Sequence, residues 1–497
     1  MSNQSGHPLF VGSSRSCVAR RSRGGIVISA LFIALVASLS THASAEHHLF
    51  ERPPAFLPTP VIQKGLVVGD FNLDGHEDLV TTSQFDDPFA KVTVLLGTGD
   101  GAFVPGPQFP LSVNNTTSLQ AGDLNGDDKL DLIVGTRPFP PPALILVLLG
   151  NGDGSFGEEA AYEVGGTPVS IAIDDLDGNG SPDVVVANQG RIAVLMGIGD
   201  GTFEEAIKLS VGNDPNKVMV ADFNQDGDSD LMIGTRRPVI FIGAGDGTFE
   251  EGKRFNACCS FATVADINLD DVTDVVLYDR FGGLSVRFGV GDGTFRGSAL
   301  AQEMGQDIVF ADDMNSDGLV DLVEGPMTNS SGTLRVSFGR RFGQTFSFTS
   351  GSIYRAGNSP AEPIGGDFDE DGNRDLVVIN ASSDPTTRGV SVLLNRIKFA
   401  DTTTTTVSGS YLRSRDRIKL VGQVNPRHRG HPVRIHVFKR ADGEWVKAFR
   451  DVVFLRGNGG FRFVPFQRVN ANRCQVEAKF PGDEDHAPSS ATDAFRC

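Results

Sequence analysis

The sequence predicts an all-β protein, a seven-bladed β-propeller followed by a small β-sandwich. Three observations predict it. An acidic nine-residue motif recurs seven times at intervals of 44 to 54 residues. A second motif, Gly-x-Gly-Asp-Gly-x-Phe, closes an alternating strand after most copies of the first. Beyond the threonine run 402–406, the composition shifts and alternating strands continue to the C-terminus. A length of 497 residues suits two or three domains.

Residues 1–45 read as a secretory signal. Arg15, Arg20, Arg21 and Arg23 form its charged start, 26–39 its apolar stretch, and Ala43-Ser44-Ala45 a small-residue cleavage site. The rival reading is a membrane anchor, but an apolar run of about 15 residues is short to span a bilayer. No transmembrane segment is expected in the exported chain. It keeps Cys258, Cys259, Cys474 and Cys497, too few for a disulfide framework. Residues 46–64 come next. Part of this segment is expected to supply the outer strand of the last blade, since a closed ring leaves no bare edge. The rival reading of its prolines (53, 54, 58 and 60) is a linker.

Residues 65–400 hold the repeats. Oxygen donors stand at positions 1, 3, 5 and 9 of each motif, with Gly usually at 6, as a calcium loop requires. The candidate ligands are Asp70, Asn72, Asp74 and Asp78 in the first loop, and Asp123, Asn125, Asp127 and Asp131 in the second. They are Asp175, Asp177, Asn179 and Asp183 in the third, and Asp222, Asn224, Asp226 and Asp230 in the fourth. Asp266, Asn268, Asp270 and Asp274 form the fifth set, and Asp313, Asn315, Asp317 and Asp321 the sixth. Asp367, Asp369, Asp371 and Asp375 complete the series, so up to seven Ca²⁺ ions are expected. These are not EF-hands: helical periodicity is missing, and position 12 is an acid only at Glu324. Asp at position 9 is expected to take the part of that acid. Loop seven, with four carboxylates, should bind tightest. Loops two and five place Asp128 and Asp271 where Gly is expected, and should bind weakest.

Each repeat reads as four short strands with turns at even spacing. Strands such as 92–96 alternate, and Gly97-Thr-Gly99-Asp100-Gly101-Ala-Phe103 supplies the hairpin after them. A lone four-stranded sheet cannot bury both faces, whereas seven arranged radially can. A calcium β-roll repeats about every nine residues and does not fit a period near fifty. Antiparallel order puts the acidic loops and the Gly-Asp-Gly turns on one face. The opposite loops carry Arg137, Arg191, Arg236, Arg237, Arg280 and Arg388, with Phe85, Phe89, Phe139 and Phe281 among them. That face suits an anionic ligand, because guanidinium forks match carboxylates. The rival reading is ordinary surface charge balance.

Residues 46–400 carry 23 basic and 52 acidic side chains, and 27 of those acids lie inside the seven motifs. The acidity is thus gathered for cations and excludes nucleic acid as a partner of the propeller. Both motifs resemble the FG-GAP (VCBS-type) repeats of the integrin α-chain head and of exported bacterial proteins. That resemblance covers roughly residues 60–400 and implies a seven-bladed propeller with Ca²⁺ in the loops between first and second strands. The family serves adhesion, lectin-like binding and scaffolding, so it implies no single activity.

Residues 401–497 carry 17 basic and 10 acidic side chains and hold six or seven alternating strands, a β-sandwich pattern. Phe480-Pro-Gly-Asp483 resembles bacterial Ig-like modules, and Cys474 and Cys497 are expected to pair. Catalysis is not expected. His76 is the one histidine within the repeats, so no Ser-His-Asp or Cys-His set has a base there. The expected function is extracellular recognition or adhesion by a secreted monomer, with a protein or glycan ligand. The alternative is a calcium-dependent polysaccharide lyase, for which no base can be nominated.

Overall fold

The computed structural model describes residues 49–50, 55–59, 63–83, 89–137, 142–212, 215–255, 260–278, 284–301, 308–325, 332–342, 345–349, 351–382, 384, 386–396, 404–412, 417–425, 432–441, 444–454, 460–463, 474–480 and 489–495. The expected signal, Cys258, Cys259, Cys497, Phe85, Phe139, Arg280 and Phe281 lie outside them. Among the described residues no helix is long and apolar enough to cross a membrane.

Each acidic motif joins two antiparallel strands. The first copy links Gln63–Gly69 to Asp78–Ser83, and Lys91–Gly97 and Phe103–Pro110 complete that sheet in chain order. Residues 116–163, 168–209, 217–254 and 260–301 each repeat this four-stranded plan. The sixth sheet has an insertion. Its fourth strand is Ser352–Arg355, and the hairpin Gly339–Phe342/Thr345–Phe348 stands before it. The seventh sheet takes its outer strand from the other end of the chain. Ala55–Pro58 pairs antiparallel with Gly389–Leu393, from Ala55 opposite Val392 to Pro58 opposite Gly389. The first strand of each sheet lies against the first strand of the next, and Pro360–Gly366 lies against Gln63–Gly69.

The core fills the spaces between successive sheets. Second strands are buried on both faces, so they read as apolar runs rather than alternating ones: Asp183–Asn188 is buried throughout. Val184, Val186, Ala193 and Leu195 pack toward the preceding sheet, against Ile133, Ile145 and Val147. Val185, Ala187, Ile192 and Val194 pack toward the following one, against Val218, Leu231 and Ile233. Burial of such side chains contributes about 1.5–3 kcal/mol each, which makes the stack of sheets the main source of stability.

The C-terminal residues form two antiparallel sheets, one of Thr404–Leu412, Arg417–Asn425 and Gly460–Phe463, the other of Pro432–Ala441, Glu444–Phe454, Cys474–Phe480 and Ser489–Phe495. Thr404–Leu412 lies against the last two strands of the second sheet. Cys474 is fully buried and disulfide-bonded.

Candidate metal sites

All seven acidic loops share one hydrogen-bond plan. The position-1 Asp accepts the position-6 amide through Oδ2, at 2.6–3.0 Å in every copy. Positions 4 and 6 both take positive φ. At position 4 these are Leu73, Gly126, Gly178, Gln225, Leu269, Ser316 and Glu370. Asp128 (φ 64°) and Asp271 (φ 74°) adopt the same turn at position 6 as the glycines of the other loops. Loop five is alone in placing non-Gly residues, Leu269 and Asp271, at both left-handed positions.

The position-9 Asp is fully buried in all seven copies. Its Oδ2 accepts the position-2 amide at 2.8–3.0 Å. Its Oδ1 accepts an amide at the end of the third strand at 2.6–2.8 Å. That donor is the first glycine of the second motif (Gly97, for example) in six sheets. This carboxylate is therefore a clasp between the acidic loop and the turn beside it, as well as a metal-ligand candidate. The glycine is required by close approach. A Cβ at Gly97 would come within 2.2 Å of the Glu77 carbonyl oxygen, and one at Gly150 within 2.3 Å of the Leu130 oxygen.

Burial pushes these carboxyls up, and neighbouring aspartates of the same loop add to it: those at positions 1 and 5 in five loops, at 1 and 3 in loop three, and at 3 and 5 in loop seven. The backbone amides pull the other way. Asp274 and Asp375 reach about 7, and Asp321 stands well above the usual range. Asp78, Asp131, Asp183 and Asp230 are raised as well. Burial and like charge both disfavour the ionised form, and a bound cation reverses both effects. Among the described residues two clusters bring three carboxylates together, Asp175–Asp177–Asp183 and Asp367–Asp369–Asp375, with one oxygen of each within 4.8 Å of the others. In loop seven, Asp367 Oδ1 and Asp369 Oδ1 are buried with no hydrogen-bond partner. Acceptor-only oxygens in that state fit a hard divalent cation.

The loops are tied to the next sheet. The second glycine of Gly-Asp-Gly donates its N–H to the position-2 carbonyl of the preceding loop: Gly101 to Phe368 at 2.8 Å, Gly154 to Phe71 at 2.9 Å, Gly247 to Leu176 at 3.2 Å and Gly293 to Phe223 at 3.1 Å. The aromatic of the same turn then packs edge-on against the same position. Phe103 meets Phe368 at 5.6 Å, and Phe156 meets Phe71 at 6.0 Å. Sheet seven lacks the glycine turn, and Asn395 replaces it. Its N–H binds Asp375, and its Nδ2 donates to Met314 O at 2.8 Å and to Arg374 O at 3.0 Å. Phe50, bridged to Asn395, stands where the turn phenylalanine stands elsewhere. Between loops one and seven, His76 Nδ1 lies 2.5 Å from Glu370 Oε1, which raises the imidazole's affinity for a proton.

On the opposite loops, Arg137, Arg191, Arg236 and Arg237 are exposed, as is Phe89. Arg388 is half-buried, and its Nε donates to Ser382 O at 3.1 Å. Sequence reasoning missed the clasp at position 9, the left-handed position 4 and the role of Asn395. Only position 4 carried a signal, in Gly126 and Gly178.

A family pattern described as an FG-GAP-like repeat matches residues 70–134, 175–233 and 313–378. Each match runs from position 1 of one acidic loop to position 12 of the next, and loop five falls outside them. No curated protein matches the chain. Among solved structures it is similar to a lectin of Agrocybe aegerita described as recognising non-reducing terminal N-acetylglucosamine, at 20% identity over 59% of this chain and 80% of that one, with a TM-score of 0.42. It is also similar to BBS1N in complex with ARL6DN, in a lead-soaked crystal (14% identity, 70% of this chain, 98% of that one, TM-score 0.42) and a mercury-soaked one (14%, 69%, 94%, 0.44). The chain carries FG-GAP-like repeats, and its four-stranded sheets follow one another in the blade pattern of a β-propeller.

Proposed function

We propose that this protein is a secreted, calcium-stabilised propeller of seven blades, with a C-terminal Ig-like module, that acts in extracellular recognition or adhesion without catalysis. The observation that carries the calcium reading is the seven-fold repetition of one acidic loop, with three carboxylate oxygens gathered within 4.8 Å in loops three and seven. Calcium supplies charge neutralisation there. The chain's own groups do the rest: the position-9 clasp fixes each loop against its turn, and the Gly-Asp-Gly amide fixes it against the next blade. Ion binding should therefore stiffen the ring more than it builds any single loop.

The opposite face is the recognition surface of this reading. Exposed Arg137, Arg191, Arg236 and Arg237 on an acidic body favour a ligand bearing carboxylates or sulfates, a protein or a glycan. Two measurements test the proposal. Metal analysis after dialysis should find up to seven bound calcium ions, and chelation should lower the melting temperature. A glycan and protein-ligand array, run with and without calcium, should give hits that Arg236→Ala/Arg237→Ala abolishes. An array whose hits survive that double substitution would remove the arginine face from the account.

A further inference from the structure

In loop seven a cation from outside the acidic motif is paired with a candidate ligand, whereas the cation on Asp127 of loop two, Lys129, belongs to the motif itself. Arg396, the residue after Asn395, directs its guanidinium into the loop. Its Nη1 is ion-paired with Asp369 Oδ2 and lies 3.9 Å from Asp371 Oδ2. The Asp369 side chain is 3% exposed. Beside this pair, Asp367 Oδ1 and Asp369 Oδ1 remain buried and without hydrogen bonds. The guanidinium thus satisfies one edge of the cluster and leaves two inward oxygens unmatched, although Asp367, Asp369 and Asp375 converge within 4.8 Å.

We propose that Arg396 is a built-in competitor for the loop-seven cation site, so that a divalent ion enters fully only as the guanidinium leaves Asp369. This rests on the reading that the loops bind calcium, and it removes the lead that charge counting gives loop seven. Loop seven has one more carboxylate than the others, and Arg396 cancels the difference. Monodentate and bidentate guanidinium pairing uses the same lone pairs that a hard cation needs. Loop seven should therefore not be the first loop to fill. The exchange also reaches the chain ends. Arg396 N donates to Leu49 O at 2.8 Å, so the residue that yields to calcium is also one of those that tie the last sheet to the N-terminal segment.

The test is calcium calorimetry on the full chain with Arg396→Gln. Asp367→Asn serves as the variant that deletes the loop-seven site and identifies its step in the isotherm. Arg396→Gln should bind the same number of ions, with the loop-seven step tightened about tenfold, the usual size for removing a charge-assisted competitor. The gain should vanish in Asp367→Asn/Arg396→Gln. In chelator, Arg396→Gln should melt below the wild type, and the gap should close at saturating calcium. Arg396→Lys keeps the charge and loses the fork; it should tighten the step by a smaller factor, and it decides the matter if the Gln variant does not fold. Unchanged loop-seven affinity in the folded variants, or an equal melting deficit with and without calcium, overturns the proposal while leaving the calcium reading intact. A wild-type chain that takes up no calcium at any loop refutes both.

Discussion

Asp183→Asn separates the two jobs assigned to position 9. Asp183 is fully buried, its Oδ2 accepts Leu176 N at 2.8 Å, and its Oδ1 accepts Gly197 N at 2.7 Å. Asparagine offers one oxygen and one NH₂. It can serve either amide, and its NH₂ then faces the other N–H. One charge-assisted hydrogen bond, worth about 1.5–3 kcal/mol, is lost. The orphaned buried amide adds about 1–3 kcal/mol. Against this, the Asp183 carboxyl is raised by burial, so removing its charge relieves part of the cost. The balance in chelator is a loss of about 2 kcal/mol, read as a lower urea midpoint with unchanged slope. In calcium the loss should grow, because loop three falls from three clustered carboxylates to two. A tenfold weaker site adds about 1.4 kcal/mol. No shift in chelator would refute the clasp. The same shift in chelator and calcium would refute Asp183 as a metal ligand.

Three further outcomes are expected. Asn395→Ala should destabilise by about 2–3 kcal/mol in urea titrations, since it strips partners from the carbonyls of Met314 and Arg374 in a buried site. Asp128→Gly should stabilise by about 0.5–1 kcal/mol and tighten loop two, because Asp128 holds φ 64° where glycine is free of strain; an unchanged isotherm would count against the ranking. Glu324 and Arg335 face each other across strands, buried and without hydrogen bonds at both Glu324 oxygens and at Arg335 Nε and Nη1. Burial pushes Glu324 up to about 7, with Arg335 pulling it down only in part. A folded-state pKa raised above the unfolded value means stability is lost as pH rises through about 7. Glu324→Val/Arg335→Leu, which copies the Val134–Leu146 pairing of the second sheet, should remove that loss and be neutral or stabilising by about 1–4 kcal/mol at pH 8. Glu324→Val alone should cost about 3–5 kcal/mol, and equal stability of the single and double variants would refute the pairing argument.

The repeats were legible because blade geometry repeats and each blade writes the same constraints. Apolar second strands, Asp-Gly turns and oxygen donors at fixed spacing are local signals, and the four-stranded sheets follow from them. What stayed hidden depends on two turns meeting. Gly97 looks like a turn glycine, but it is required because the Glu77 carbonyl passes within 2.2 Å of where its Cβ would be, and no local pattern states that distance. Asp78 looks like a ligand, and its hydrogen bonds to Phe71 and Gly97 appear only once loop and turn stand side by side. At the seventh sheet the second motif is missing, so its substitutes had no repeat to be read against. Asn395 does with a side-chain amide what glycine backbones do elsewhere, and Arg396 brings a guanidinium to Asp369 from outside the acidic motif. A single copy of a contact leaves no periodic trace. That is why the sheet in which Ala55–Pro58 pairs with Gly389–Leu393 is where the sequence said least, and where substitution should tell most about how the acidic loops are held.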